Sequence, residues 1–191
     1  MKIDEFYKEL PISLIEHTNR VIRIAIKIGK AHALDLEKIA FAAKYHDLAR
    51  ITPDEILLSE CKKLDIPVSN FDKQLPMLLH GPVAASWVRT SNNVMAVPEV
   101  IEAVQNHSIA TPNMGQIAKV VFLADKLDPN KAQRYPFQSK VHAASEHDLD
   151  KALLIFTHHE IAMRLKLNQH IHPQSIATRH YLLQQFGDSY S

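Results

Sequence analysis

Apolar residues recur at three- and four-residue spacing through most of the chain, the period of helices that bury one face. Val21, Ile24, Ala25 and Ile28 form one such stripe, which predicts a helix over 17–31 with Gly29 near its end. A second helix is predicted over 35–49, with Asp35 as its N-cap. In Thr52-Pro53-Asp54-Glu55, Thr52 is read as a cap, Pro53 as the first helical residue and Glu55 as the capping-box partner. Pro67 and Pro76 mark a loop over 66–76 with one helical turn. Helices follow over 78–90, with Pro82 in the first turn, over 98–107, and over 115–127, where Asn113 is the cap and Gln116 its partner. Residues 128–140 read as polar and irregular, and the last two helices are predicted over 148–168 and 173–186. No strand alternation, repeat, low-complexity tract or linker interrupts the series. The expected fold is all-α, a single-domain helical bundle over 1–191 with its core at about 17–186.

Composition narrows the chemistry. The 191 residues fit one domain, and 22 Lys+Arg against 21 Asp+Glu leave a net charge of +1, which argues against a protein that coats duplex nucleic acid. Four glycines, Gly29, Gly81, Gly115 and Gly187, lie too far apart for a dinucleotide-binding turn, a P-loop or a nucleophile elbow. One cysteine, Cys61, excludes an internal disulfide framework and a cysteine-built zinc ribbon. A metal site would therefore draw on imidazole and carboxylate, and 12 histidines supply the former. The N-terminal residues are charged, and no apolar run approaches a membrane span, so the expected location is the cytoplasm, away from any membrane.

His46-Asp47 carries little information as a dipeptide, since chance supplies on the order of one such pair at this content of both residues. The other pair, His147-Asp148, precedes an apolar run, where Asp148 reads as an N-cap. His46-Asp47 instead lies late in an apolar helix, where either a metal or a hydrogen-bonded partner would satisfy it. Asp125 sits inside Val120-Val121-Phe122-Leu123-Ala124 and needs a cation, whether a metal or a nearby Lys or Arg. His17, His80 before Gly81-Pro82, and His107 at a helix end complete the candidates. His32, His142, His158, His159, His170 and His180 read as surface or helix-end residues, and His172 as a helix-entry residue.

The order His17, His46-Asp47, His80-Gly81-Pro82, His107, Asp125 resembles the HD-domain metal-dependent phosphohydrolases. The strings Leu78-Leu79-His80-Gly81-Pro82, Pro112-Asn113-Met114, Leu123-Ala124-Asp125-Lys126 and Ile171-His172-Pro173 resemble the YqeK-type branch, bacterial symmetrical diadenosine tetraphosphate hydrolases. The resemblance implies two metal ions, one on His17, His46, Asp47 and Asp125 and one on His80 and His107, with Asp47 bridging. It favours iron, with manganese as the alternative. It also points to a homodimer and to a nucleotide substrate cut symmetrically into two ADP. Two cations about 3.5–4 Å apart hold a shared water as hydroxide, which would attack phosphorus in line. Arg20 and Arg50, each a turn beyond a ligand, are the expected catalytic cations beside Asp47, with Lys126, Lys131 and Arg134 as further phosphate contacts. Each of these side chains also has the simpler reading of a solvated charge.

The sequence departs from the branch at Ala110 and Thr111, where a Gly and a basic residue are usual, and at Lys131, where Arg is usual. These changes leave the ligand set complete and bear on the substrate. Two other readings stay open: an HD hydrolase of a nucleoside di- or triphosphate or an alarmone, and a nucleotide-binding regulator without turnover.

Overall fold

Pro11, with extended backbone, sets where the first long helix begins. A computed structural model describes residues 2–187, and every regular element among them is helical. In order they are α1 (Ile3–Lys8), α2 (Ile12–Ala31), α3 (Leu36–Tyr45), α4 (Asp54–Lys63), α5 (Asn70–Gln74), α6 (His80–Arg89), α7 (Pro98–Asn106), α8 (Gln116–Lys126), α9 (Gln138–Ser145), α10 (Leu149–Lys166) and α11 (Pro173–Phe186). Short 3-10 turns at Pro76–Leu79 and Pro129–Lys131 precede α6 and follow α8. The expected all-α bundle is what forms.

Helix α8 is the axis. Every residue from Ile117 to Lys126 is buried, and α2, α3, α7 and α10 pack round it. A helix without a solvated face must pair its polar residues. Lys119 does so with Asp150 of α10 (2.7 Å), and Asp125 and Lys126 pair with each other (2.8 Å). Phe122 meets Phe156 of α10 edge-on, with ring centroids 5.3 Å apart. Helix α2 crosses α3 closely because Gly29 has no side chain: a Cβ there would lie 2.5 Å from Ile39 Cδ1.

Several boundaries differ from the sequence reading. Helices α1 and α9 fall in segments without a strong apolar stripe. Helix α2 starts at Ile12, so His17 lies inside it rather than at its start. Helix α3 stops at Tyr45, and His46 to Ile51 form turns. Thr52 does not cap α4: the helix begins one residue later than expected, at Asp54, and Pro53, with no side-chain acceptor, occupies the cap position. Asn113 does not cap α8 either. It adopts a left-handed φ of 58°, and the Gly115 N–H is taken by Glu102 of α7 (3.1 Å). Asp35 and Asp148 do cap their helices, and His172 Nδ1 accepts from Gln174 N–H (3.1 Å) at the entry to α11.

Candidate metal centre and phosphate cleft

Each candidate ligand is delivered by a different element. His17 comes from the middle of α2, His46-Asp47 from the turn after α3, and His80 from the junction of a 3-10 turn with α6. His107 caps the C-terminus of α7, and Asp125 lies in the last turn of α8. Close approach at His80 depends on Gly81, where a Cβ would stand 2.7 Å from Gln105 O and 3.3 Å from the His107 ring.

All six side chains converge, and all are buried. Asp47 is the hub. Its Oδ1 lies 3.0 Å from His80 Nε2 and 3.2 Å from His107 Nε2, and its Oδ2 lies 3.5 Å from His46 Nε2 and 3.7 Å from His17 Nε2. Asp125 Oδ1 is 3.0 Å from His17 Nε2 and 3.8 Å from His46 Nε2. Two groups of ligand atoms result, His17/His46/Asp47 and Asp47/His80/His107, with Asp47 in both.

The ring tautomers follow from the hydrogen-bond network. His46 Nδ1–H donates to Ala43 O (2.7 Å), His80 Nδ1–H to Met77 O (2.5 Å) and His107 Nδ1–H to Val104 O (2.7 Å). His17 Nδ1–H donates to Asp128 Oδ2 (2.5 Å). All four rings therefore turn an Nε2 lone pair inward. His80 Nε2 and His107 Nε2 stand 2.9 Å apart with Asp47 Oδ1 beside both, so acceptors face acceptors. Ser108 Oγ, at 3.1 and 3.0 Å from the two nitrogens, brings one proton for the pair. His46 Nε2 is fully buried and has no hydrogen-bond partner. Such a donor set fits a divalent transition metal, which needs deprotonated ligands held by outer hydrogen bonds.

The local field has the matching sign. Burial would raise the Asp47 carboxyl, but His46, His107 and His80 hold it well below the usual carboxylate range. Burial likewise opposes ionisation of Asp125, and Lys126, Lys131 and His17 overcome it. Burial pushes the His107 imidazole down to about 3 despite Asp47, so it stays neutral. His46 is drawn upward: burial lowers it, and the charges of Asp47 and Asp125 outweigh burial. The field that pulls a proton to His46 also attracts a metal cation.

Above the centre lies a cleft reached by both Asp47 and Asp125 and lined by Arg50, Lys126, Lys131, Arg134 and Arg164. Lys131 Nζ bonds Asp125 Oδ1, and Lys126 Nζ also donates to His107 O (3.1 Å). Arg20 lies elsewhere. Its Nε and Nη2 grip Asp128 at 2.7 and 3.0 Å, and the same carboxylate holds His17. Ala110 is buried, and its carbonyl accepts from Thr178 Oγ1 (2.9 Å); Thr111 lines a neighbouring cleft.

Four residues at this site were not singled out in the sequence: Asp128, Ser108, Glu160 and Arg164. Ser108 was legible as the neighbour of His107. Glu160 and Arg164 come from α10 and pair with each other (3.1 Å), and no local pattern ties them to the ligands. His158 and His159 face other partners, Arg179 (3.3 Å) and the Phe137 ring (centroids 5.1 Å apart).

Comparison with known proteins gives the family. Residues 14–130 match the HD domain family, a span that contains all six converging side chains. This chain belongs to the HD-domain family. The HD protein is 30% identical over 172 residues, 88% of each chain, to a symmetrical bis(5'-nucleosyl)-tetraphosphatase from Halalkalibacterium halodurans. It is 29% identical over 167 residues, 87% of this chain and 88% of the relative, to a protein of the same description from Bacillus subtilis. The crystal structure of a predicted HD superfamily hydrolase involved in NAD metabolism from Clostridium acetobutylicum superposes with a TM-score of 0.85. That match covers 96% of this chain and 95% of the other at 24% identity, and it shows the shared fold. Among the described residues no helix is long and apolar enough to cross a membrane.

Proposed function

We propose that this HD protein is a metal-dependent hydrolase of dinucleoside polyphosphates that cuts diadenosine tetraphosphate symmetrically into two ADP. The observation that carries the reading is the ring of inward-facing acceptors round Asp47, set beneath a cleft lined by five cations. The description shared by the relatives supports the substrate class.

His17, His46, Asp47 and Asp125 would hold one ion, and Asp47, His80 and His107 the other. Iron is the ion we favour over manganese, since imidazole and carboxylate donors suit both and the family resemblance tips the choice. When bound, such a pair supplies Lewis acidity toward phosphate oxygens and makes water nucleophilic at neutral pH. The remaining work falls to the chain. Arg50, Lys126, Lys131, Arg134 and Arg164 line the cleft as phosphate contacts and offset charge that builds on phosphate oxygens as the anhydride breaks. Arg20, tied to Asp128, orients His17 rather than reaching phosphate. In the reaction, water oxygen bonds to one central phosphorus, the central phosphoanhydride bond breaks, and each ADP leaves with two phosphates.

Product analysis of iron-loaded protein with diadenosine tetraphosphate tests the reading. ADP as the sole nucleotide product is expected. ATP and AMP in equal amounts, or no turnover beside fast turnover of a nucleoside triphosphate, would replace it with another hydrolase assignment.

A further inference from the structure

The cationic cleft holds an acid that the metal centre does not use. Three carboxylates line it. Asp47 and Asp125 lie against the imidazoles, whereas Glu160 comes from α10 and pairs with Arg164 one turn on. Glu160 is buried, at 9% exposure. Its Oε1 accepts from Arg164 Nε (3.1 Å) and lies 3.1 Å from Nη2, and Arg164 Nη1 donates to His170 O (3.3 Å). The arginine's bonds to this carboxylate thus fall on one oxygen, and Oε2 has no hydrogen-bond partner among the described residues.

A carboxylate weakens a cleft built for phosphate. Arg50, Lys126, Lys131 and Arg134 attract the anion, and a negative charge among them repels it. A glutamine would seat Arg164 with the same oxygen, so it is the charge of Glu160 that calls for a function. That charge is felt inside the cleft. Tyr135, buried and lining the same cleft, packs edge-on against Phe156, one turn before Glu160 on α10, with ring centroids 5.1 Å apart. Burial raises the Tyr135 hydroxyl above its ordinary value, Arg134 and Lys131 pull it down, and Glu160 and Asp125 push it up. The acid of α10 therefore shares one small space with two of the cleft's cations and with an aspartate of the centre.

Phosphates come in two kinds. An internal phosphate, bridged on both sides, carries one charge. A terminal phosphate has a second acidic oxygen with a pKa of about 6 and is close to doubly charged at neutral pH. A dinucleoside polyphosphate has internal phosphates only, whereas a nucleoside di- or triphosphate ends in a terminal one. A central cut converts two internal phosphates into terminal ones: water oxygen bonds to one phosphorus, the bridging oxygen stays with the other, and the protons shed go to solvent.

We propose that Glu160 is a charge selector: its carboxylate tolerates singly charged internal phosphates in the cleft and disfavours a doubly charged terminal one. It thereby favours a dinucleoside polyphosphate over a mononucleotide and weakens the hold on the ADP that forms. This role rests on the reaction proposed above, but its test needs no turnover.

Calorimetry on the metal-loaded protein compares ADP with its β-methyl ester, which keeps only one charge on the last phosphorus, in wild type, Glu160→Gln and Glu160→Asp. In Glu160→Gln, which still offers Arg164 an oxygen, the ratio of ADP to ester affinity should rise about three- to tenfold, the worth of one like-charge interaction across a cleft partly screened by water and salt. Glu160→Asp keeps the charge and should keep the wild-type ratio. Metal content and helix content should match wild type in both variants. An unchanged ratio in Glu160→Gln, an equal loss for both ligands (the result if Glu160 only seats Arg164), or the same rise in Glu160→Asp would overturn the selector. The two ideas fail separately. If the ratio shifts but diadenosine tetraphosphate yields no ADP, the selector against terminal phosphates stands and the reaction falls. If ADP is produced but the ratio holds in Glu160→Gln, the reaction stands and the selector falls.

Discussion

Asp128 is the residue whose replacement tests the centre most sharply, because it touches a ligand without being one. Its carboxylate is 1% exposed and spends both oxygens: Oδ2 accepts from His17 Nδ1 at 2.5 Å and from Arg20 Nη2 at 3.0 Å, and Oδ1 accepts from Arg20 Nε at 2.7 Å. Asp128→Asn keeps the shape, and with its amide oxygen in the Oδ1 place it still accepts from the Asn130 N–H (3.2 Å), so the turn cap survives in that orientation. It puts an NH2 group where one acceptor stood. If that group faces Arg20, donor meets donor. If it faces His17, the ring is pushed to the other tautomer, and Nε2–H then points at Asp125 and Asp47, where a lone pair is needed. Outer-shell replacements of this kind cost about 10- to 100-fold in metal affinity, or roughly 1.4 to 2.7 kcal/mol. The expected loss is confined to the His17/His46/Asp47/Asp125 side, so metal per chain measured by atomic absorption after chelator competition should fall from two toward one. Arg20→Met leaves the carboxylate on His17 and should cost less. Undiminished metal content in Asp128→Asn would refute the tautomer reasoning, and equal losses in the two variants would mean that the ion pair, not the imidazole, is what matters.

Asp47→Asn should lose both metals and all turnover while circular dichroism still shows the native helix content, since both ligand groups share this one side chain. Gly81→Ala drives a methyl to 2.7 Å from Gln105 O, a backbone atom that cannot swing away, and should destabilise by about 1–3 kcal/mol in thermal or denaturant melts. The Cys61 thiol, buried and pushed up to about 11 by burial first and then by Asp72 and Glu60, should resist alkylation at about pH 8 in the native protein and react on unfolding. Hydrogen bonds from Lys44 and Tyr45 lower the Asp4 carboxyl from 3.8, so its contribution is present above the unfolded value and lost as pH falls through the lowered one. The melting-temperature gap between wild type and Asp4→Asn should therefore be small, because Asp4 is largely exposed, and should close on acidification from about pH 6 to about pH 2.

The long helices were legible because their periodicity is tertiary information written locally. Val21, Ala25 and Ile28 of α2 are buried as their stripe demands, and α10 starts behind Asp148 as its cap predicts. Helices α1 and α9, six and eight residues long, are held by packing rather than by a pattern of their own, and QSKVHAAS carries almost no apolar face. The two failed capping assignments have separate causes: α4 begins one residue late, with Pro53 at its cap, and the Gly115 N–H that Asn113 would have capped is claimed by Glu102 of α7. The convergence of the six candidate ligands was expected from the family resemblance that their order along the chain carries. The residues that orient and flank them were not, because Asp128 reaches His17 across 111 positions and Arg164 enters from α10.

Where the candidate ligands sit along their helices explains why a cation suits this place. His46 caps the end of α3, His107 caps the end of α7, His80 closes the 3-10 turn, and Asp125 lies in the last turn of α8. A helix end leaves carbonyls without an intrahelical donor. Three of these imidazoles each take up a carbonyl three residues back, at Ala43, Met77 and Val104. One bond thus finishes a helix and fixes a tautomer at once. The ends of α3, α7 and α8 also bring the negative pole of their dipoles toward Asp47, each worth about 0.3–1 kcal/mol to a nearby positive charge; the N-terminus of α6 at His80 opposes them. Lys126 answers part of that field by donating to His107 O and Asp125, yet its ammonium reaches only one side of the cluster. His46 Nε2, buried among Asp47 and Asp125 with no donor to meet it, is the point the lysines do not reach, and it is there that a chelator-sensitive ion should prove hardest to replace with a side chain.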